Sequence, residues 1–147
     1  MCIIGYSEFM GDPLIDKLLS LDLNRNDFAI YGSGLLWVHR LRLISDLDVV
    51  VRGRAWERVQ EIGAVSIAPF NKAPMIPLWG GTIEFTNGWI SDEEDADRLI
   101  DEAEIIHGIR FVNLRYVLSY KSRLGRAKDL ADIEALQAHT VCALDGG

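Results

Sequence analysis

Two cysteines, three histidines and four prolines in 147 residues leave little room for several kinds of chemistry. Cys2 and Cys142 stand near opposite ends, and neither has metal-ligand spacing around it. Reduced, unpaired thiols are therefore expected, rather than a disulfide framework or a thiolate metal site. His39, His107 and His139 pair with no serine or cysteine in a triad-like pattern, so nucleophilic catalysis has no support. No apolar run approaches the ~20 residues of a bilayer span. The opening MCIIGYSEFMGDP lacks the basic segment of a secretory signal, which sets the expectation of a cytoplasmic protein with no membrane partner. Internal repeats, low-complexity tracts and clear linkers are also missing. Positive charge is short: 15 Lys and Arg against 22 Asp and Glu give a net charge of −7. That balance disfavours whole-surface binding to nucleic acid or to an anionic membrane.

What is present suits one globular domain over residues 1–147, with 49% hydrophobic and 25% charged residues. The charge is unevenly spread. From Arg110 to Lys128 there are six basic residues and no acid, whereas from Glu84 to Glu104 acids dominate and Arg98 is the single base. A local basic strip inside an acidic chain fits a small anionic ligand better than a long polyanion.

Asp12-Pro13 opens a first helix, with proline at an early helical position. Phe28 to Tyr31 reads as a short buried strand, which Gly32-Ser33-Gly34 turns into a helix from about Leu35 to Leu43. Asp46 to Val51 is a second strand, followed by a helix over Arg54 to Ile62 and a weak strand over Val65 to Pro69. Asn71 to Pro77 is expected to be a loop. Met75–Trp79 and Thr82–Thr86 read as a hairpin about Gly80-Gly81. An acidic helix over Asp92 to Glu102, a hairpin over Glu104 to Val112, and helices over Leu114 to Leu124 and Ala127 to about His139 complete the chain. The expected fold is α+β: a mixed sheet of four to six strands flanked by helices, with a helical C-terminus.

The chemistry concentrates after Phe28. A glycine turn lets backbone approach a ligand closely, and the helix after it aims N–H groups at the same spot. Asp46 and Asp48, two apart on a strand, leave the same face of the sheet. So close to a core, two carboxylates are costly without a cation, although a strand opening with Asp48 facing solvent is the plainer alternative. Twelve residues separate Ser33 from Asp46, enough for one helix returning the chain beside the first strand. Glu84 either joins the aspartates from a neighbouring strand or stands in solvent on an edge. Lys121 falls where the apolar stripe Leu114, Val117, Leu118 should continue, so it either snorkels past the core or reaches an anion in a cleft. Asp129 has a sufficient reason in the dipole of the last helix; Asp132 has no such reason, and its plainer alternative is a solvated position.

Gly32-Ser33, twelve residues, then Asp46-Leu47-Asp48-Val49 resembles the signature of the nucleotidyltransferase superfamily that includes DNA polymerase beta. Ile83-Glu84-Phe85 resembles its third acidic strand. The run from Tyr120 to Asp132 is similar to the Lys…Arg-x-Lys-Asp-x-x-Asp pattern of the abortive-infection toxin branch, near the minimal nucleotidyltransferases. The resemblance spans roughly Phe28 to Leu136. It implies transfer of a nucleoside monophosphate from a nucleoside triphosphate such as ATP, possible in a toxin–antitoxin setting. Asp46, Asp48 and Glu84 would be both the catalytic acids and the ligands of two Mg²⁺ ions. Gly32, Ser33, Lys121, Arg126 and Lys128 would bind the nucleotide, with Lys121 on the triphosphate. The sequence departs from the family after Ser33, where GLLWVHRLRL is bulky and apolar. No separate acceptor domain fits within the chain, so the acceptor is a small molecule, a protein or an RNA such as tRNA, or the fold binds without turnover.

Overall fold

The computed structural model describes residues 5–41, 43–68, 73–88 and 95–145, with the side chains of Ser33 and of 139–145 outside that description. Cys2 and the side chains of Cys142 and His139 therefore lie outside the described residues. A short helix α1 (Tyr6–Met10), not expected from the sequence, precedes α2 (Pro13–Ser20). Asp12 caps α2 by accepting from the Leu14 and Ile15 amides at 2.9 and 3.1 Å, with proline at the first position. The strand β1 (Phe28–Tyr31) then leads into α3 (Ser33–Val38), β2 (Leu47–Val51) and α4 (Gly53–Ile62). Next come β3 (Ser66–Ile67), β4 (Pro74–Leu78), β5 (Ile83–Thr86), α5 (Ala96–Asp101), β6 (Glu104–Ile106) and β7 (Ile109–Phe111). The helices α6 (Leu114–Leu124) and α7 (Ala127–Asp145) end the chain.

The fold is α+β, built on one mixed sheet in the order β3-β4-β5-β2-β1-β7-β6. It has seven strands rather than four to six. The two edge strands, only two and three residues long, account for the difference. β2–β5 and β1–β7 pair parallel, and the other neighbours pair antiparallel.

Three further expectations are corrected. The helix after Ser33 starts earlier and stops at Val38, because Arg40 turns to a positive φ of 62°. The strand expected from Met75 begins at Pro74, so the loop expected to run to Pro77 ends before it. β3 pairs only with Pro74 and Met75, so the side of Pro77 facing away from β5 has no ladder to complete and the missing N–H costs nothing. The acidic helix covers Ala96–Asp101, capped by Asp95; residues 92–94 of its expected span lie outside the described residues.

One face of the sheet presents Phe28, Ile30, Leu47, Val49, Val51, Ile83 and Phe85, all essentially inaccessible. Close packing on this face explains Gly34, since a Cβ there would overlap Ile30 and press on Leu47. Phe9 of α1 stacks on Trp37 of α3 at 5.4 Å and meets Phe111 edge-on at 6.3 Å. The opposite face is divided. Over its far end lies α5, which Arg52 reaches at Asp101 (2.8 Å) and Arg110 reaches at the Ile100 carbonyl (3.4 Å). Over its near end α6 sets Tyr120 against Tyr31, ring centroids 5.7 Å apart. Beside α6 and the start of α7 this face is left uncovered and opens into a cleft.

Candidate functional site

The register of three strands builds the floor of that cleft. Tyr31 pairs with Asp48 across β1 and β2, and Asp48 pairs with Glu84 across β2 and β5. Paired residues share a face, so the phenol and two carboxylates stand abreast. Asp46 precedes β2 and is exposed beside them. The cleft encloses about 410 Å³ and is lined on the sheet side by Gly32, Asp46, Asp48 and Glu84. Tyr120, Lys121, Arg126 and Lys128 line it from α6 and α7, while Met75 and Leu124 supply apolar surface. Of the residues expected at the site, Ser33 alone cannot be located, because its side chain lies outside the described residues.

Gly32 has a definite steric reason. Its φ of 66° with ψ of −133° is open to glycine, and a Cβ there would stand 2.6 Å from Asp48 Oδ2. The turn thus makes room for a carboxylate. At six residues α3 is too short to count as an anion site by itself, and its Leu35 amide already bonds the Gly32 carbonyl at 3.3 Å.

The acids perturb one another. Burial, then the charges of Asp46 and Glu84, push the Asp48 carboxyl from 3.8 up to about 7, while Lys121 and Lys128 pull the other way. Glu84 is raised by burial and then by Asp46, against Lys128. The Tyr31 phenol is driven well above its ordinary range, by burial first and Asp48 next. Tyr120 is pushed up to about 12 by burial and then by Asp48, with Arg126 opposing.

No protein-family model and no curated protein matches the chain. Among solved structures it is similar to a protein of Thermotoga maritima whose assignment as a nucleotidyltransferase is itself provisional. The two share 14% identity and a TM-score of 0.48 over 91% of this chain and 88% of that one. At that distance the likeness carries no information on the site, which stands on its own geometry.

The cations differ from expectation. Lys121 is buried, with Nζ donating to Asp132 Oδ2 at 2.9 Å and lying 3.9 Å from Asp129 Oδ1. Arg126 grips Asp129 with Nε at 2.6 Å and Nη2 at 3.2 Å. Asp129 is accordingly held below the usual carboxylate range: burial opposes this, but the Arg126 bonds outweigh it. Asp132 is buried rather than solvated, and Asp129 does more than complement a helix dipole. Neither role was readable from the sequence, where only the Lys-Asp-x-x-Asp spacing hinted at it. Lys128 is exposed at the mouth and makes no ion pair with the described residues. His107 packs on Phe9 and Tyr6, outside the cleft lining.

Carboxylate oxygens of this kind suit a hard divalent cation such as Mg²⁺, and Asp48, raised first by burial and then by its acidic neighbours, carries a charge that a cation would relieve. The donor type therefore fits. As the side chains stand, however, no group of three or more His, Cys, Asp or Glu among the described residues is gathered closely enough to hold a metal ion. Among the same residues, no helix is long and apolar enough to cross a membrane.

Proposed function

We propose that this cleft binds a nucleoside triphosphate with Mg²⁺ and transfers its nucleoside monophosphate to an acceptor. The observation that carries the reading is the strand register that sets Asp48 beside Glu84, next to the Gly32 turn and across from Lys121, Arg126 and Lys128. Asp46, Asp48 and Glu84 would hold the metal, two ions in the full complement, and drawing Asp46 inward would complete the ligand group. Bound there, the metal would supply Lewis-acid stabilisation of charge on the phosphates. The chain's own part is to place that charge: Lys121, Arg126 and Lys128 meet the polyphosphate. Tyr31, Tyr120, Met75 and Leu124 exclude water from one side of it. Without a cation the Asp48 carboxyl is pushed up to about 7, so taking up the metal there would be coupled to loss of its proton. The acceptor remains open among RNA, protein and small molecules, and kinship with the abortive-infection toxins rests on the Tyr120–Asp132 run alone.

The test is incubation of the purified chain with Mg²⁺ and each labelled triphosphate, with and without tRNA. Label should appear in a product or in released pyrophosphate, and Asp46→Ala/Asp48→Ala should abolish it. Unchanged transfer in that variant would remove the site assignment.

A second reading has an observation on its side. A raised Asp48, with no ligand group of three gathered among the described residues, also fits a module on the same fold that binds a nucleotide or partner without turnover. Calorimetry separates the two, since the module takes up the triphosphate while releasing no pyrophosphate.

A further inference from the structure

Two acids of α7 reach back to two cations of the cleft wall. Lys121 occupies the place on α6 where an apolar residue would extend the stripe of Leu114, Val117 and Leu118, yet its side chain is only 5% exposed. Its ammonium donates to Asp132 Oδ2 at 2.9 Å, with Asp129 Oδ1 at 3.9 Å. Asp129, fully buried, spreads its carboxylate over Arg126: Oδ2 accepts Nε at 2.6 Å and the Arg126 amide at 3.2 Å, and Oδ1 accepts Nη2 at 3.2 Å. Asp129 and Asp132 are three apart on one helix and so share the face turned to α6.

A buried ion pair is poor value as a stabiliser, because a well-packed apolar pair of similar volume does as well. Its location is more telling. Lys121 and Arg126 both line the cleft, and the charge of Lys121 is felt at Asp48 on the other wall. Lys121 also keeps donors in reserve, since an ammonium has three and Asp132 takes one.

We propose that Asp132 and Asp129 are positioning residues that hold the Lys121 ammonium and the Arg126 guanidinium against the cleft wall, aimed at an incoming polyphosphate. The two acids touch no substrate. They fix one end of each cation, so a phosphate meets preset donors instead of ordering two long side chains on arrival. The inference rests on the nucleotide-binding reading above.

The experiment measures binding of a fluorescent ATP analogue with Mg²⁺, together with melting temperature, for the unaltered chain and three variants. Asp132→Asn should weaken nucleotide binding by about tenfold or more. Asp132→Glu, which restores the charge one methylene away, should recover part of it. Lys121→Met/Asp132→Leu should melt near the unaltered chain and still bind weakly, an outcome a purely structural pair would not give. Should Asp132→Asn fail to fold, the double variant decides. Binding by Asp132→Asn or by the double variant as tight as that of the unaltered chain overturns the positioning role alone. No binding by the unaltered chain overturns the nucleotide reading and this inference with it.

Discussion

Replacing Asp48 with asparagine removes a charge that the metal-free fold carries at a cost, and the structure sets the size of that cost. The carboxyl is pushed up to about 7 in the folded protein against 3.8 ordinarily, because it is half-buried on β2 and lies beside Asp46 and Glu84. At 1.36 kcal/mol per pH unit, the difference amounts to about 4 kcal/mol for the ionised form. The folded state holds the proton more tightly than the unfolded state does between about pH 4 and 7. Stability therefore falls as pH rises through that window and is level above it. Below about pH 4 both states are protonated and the penalty is absent. Asparagine keeps the shape and loses the charge, so at pH 8.5 it should stabilise the chain by about 2–4 kcal/mol, the lower figure allowing for amide contacts that fit imperfectly. Urea denaturation in EDTA at pH 4, 6 and 8.5 measures this, with the gap between variant and unaltered chain opening as pH rises. Equal stability at pH 8.5, or a gap that does not change with pH, would refute the account of Asp48 as a charge held without compensation. Adding Mg²⁺ at pH 8.5 should then stabilise the unaltered chain and leave Asp48→Asn nearly unmoved.

Three other outcomes follow from the same geometry. Gly32→Ala meets both a positive φ and the Asp48 carboxylate, and should cost about 2 kcal/mol or more. Combining it with Asp48→Ala removes the overlap and should recover part of the loss in a thermal melt. Asp129→Ala takes the bidentate partner from the partly exposed Arg126 and leaves Lys121 with Asp132 alone, and should cost about 1–2 kcal/mol by urea denaturation. Because Asp129 is held below its ordinary value, the stability it provides should be present above pH 4 and fade as pH falls through its lowered value, so the effect of Asp129→Ala should shrink in acid. Lys128→Ala, at an exposed position, should leave the melting temperature within about a degree while weakening nucleotide binding, as calorimetry would show.

The parts legible in the sequence are those governed by local rules. α2 announced itself by Asp12-Pro13, and the boundaries of α6 were readable from its apolar stripe and from Gly125, which closes it at a φ of 61°. The alternation in Leu47–Val51 correctly separated Asp48 from Val49 and Val51, although Asp46, expected on the same strand, precedes it. Where tertiary pairing outweighed local preference, the sequence misled. Pro74 argued for a loop running up to the strand expected from Met75, yet it opens that strand, a place where proline is tolerated. Arg40 ended α3 early in a left-handed conformation that no residue type there foretold.

At the site, the sequence by itself determined which residues could do chemistry: a glycine turn, three acids and a cluster of cations at spacings that bring them to one end of a sheet. Spacing alone could not decide what each side chain touches, since contacts depend on strand order and helix docking between segments far apart in the chain. Only the parallel pairing of β2 with β5 made Asp48 and Glu84 neighbours, and it is burial in the fold, with Asp46 and then Glu84 beside it, that pushes Asp48 up to about 7. Only the packing of α7 on α6 turned Asp129 and Asp132 from surface candidates into the buried anchors of Lys121 and Arg126. Composition and periodicity are properties of one segment, whereas a desolvated charge is created by whatever folds over it.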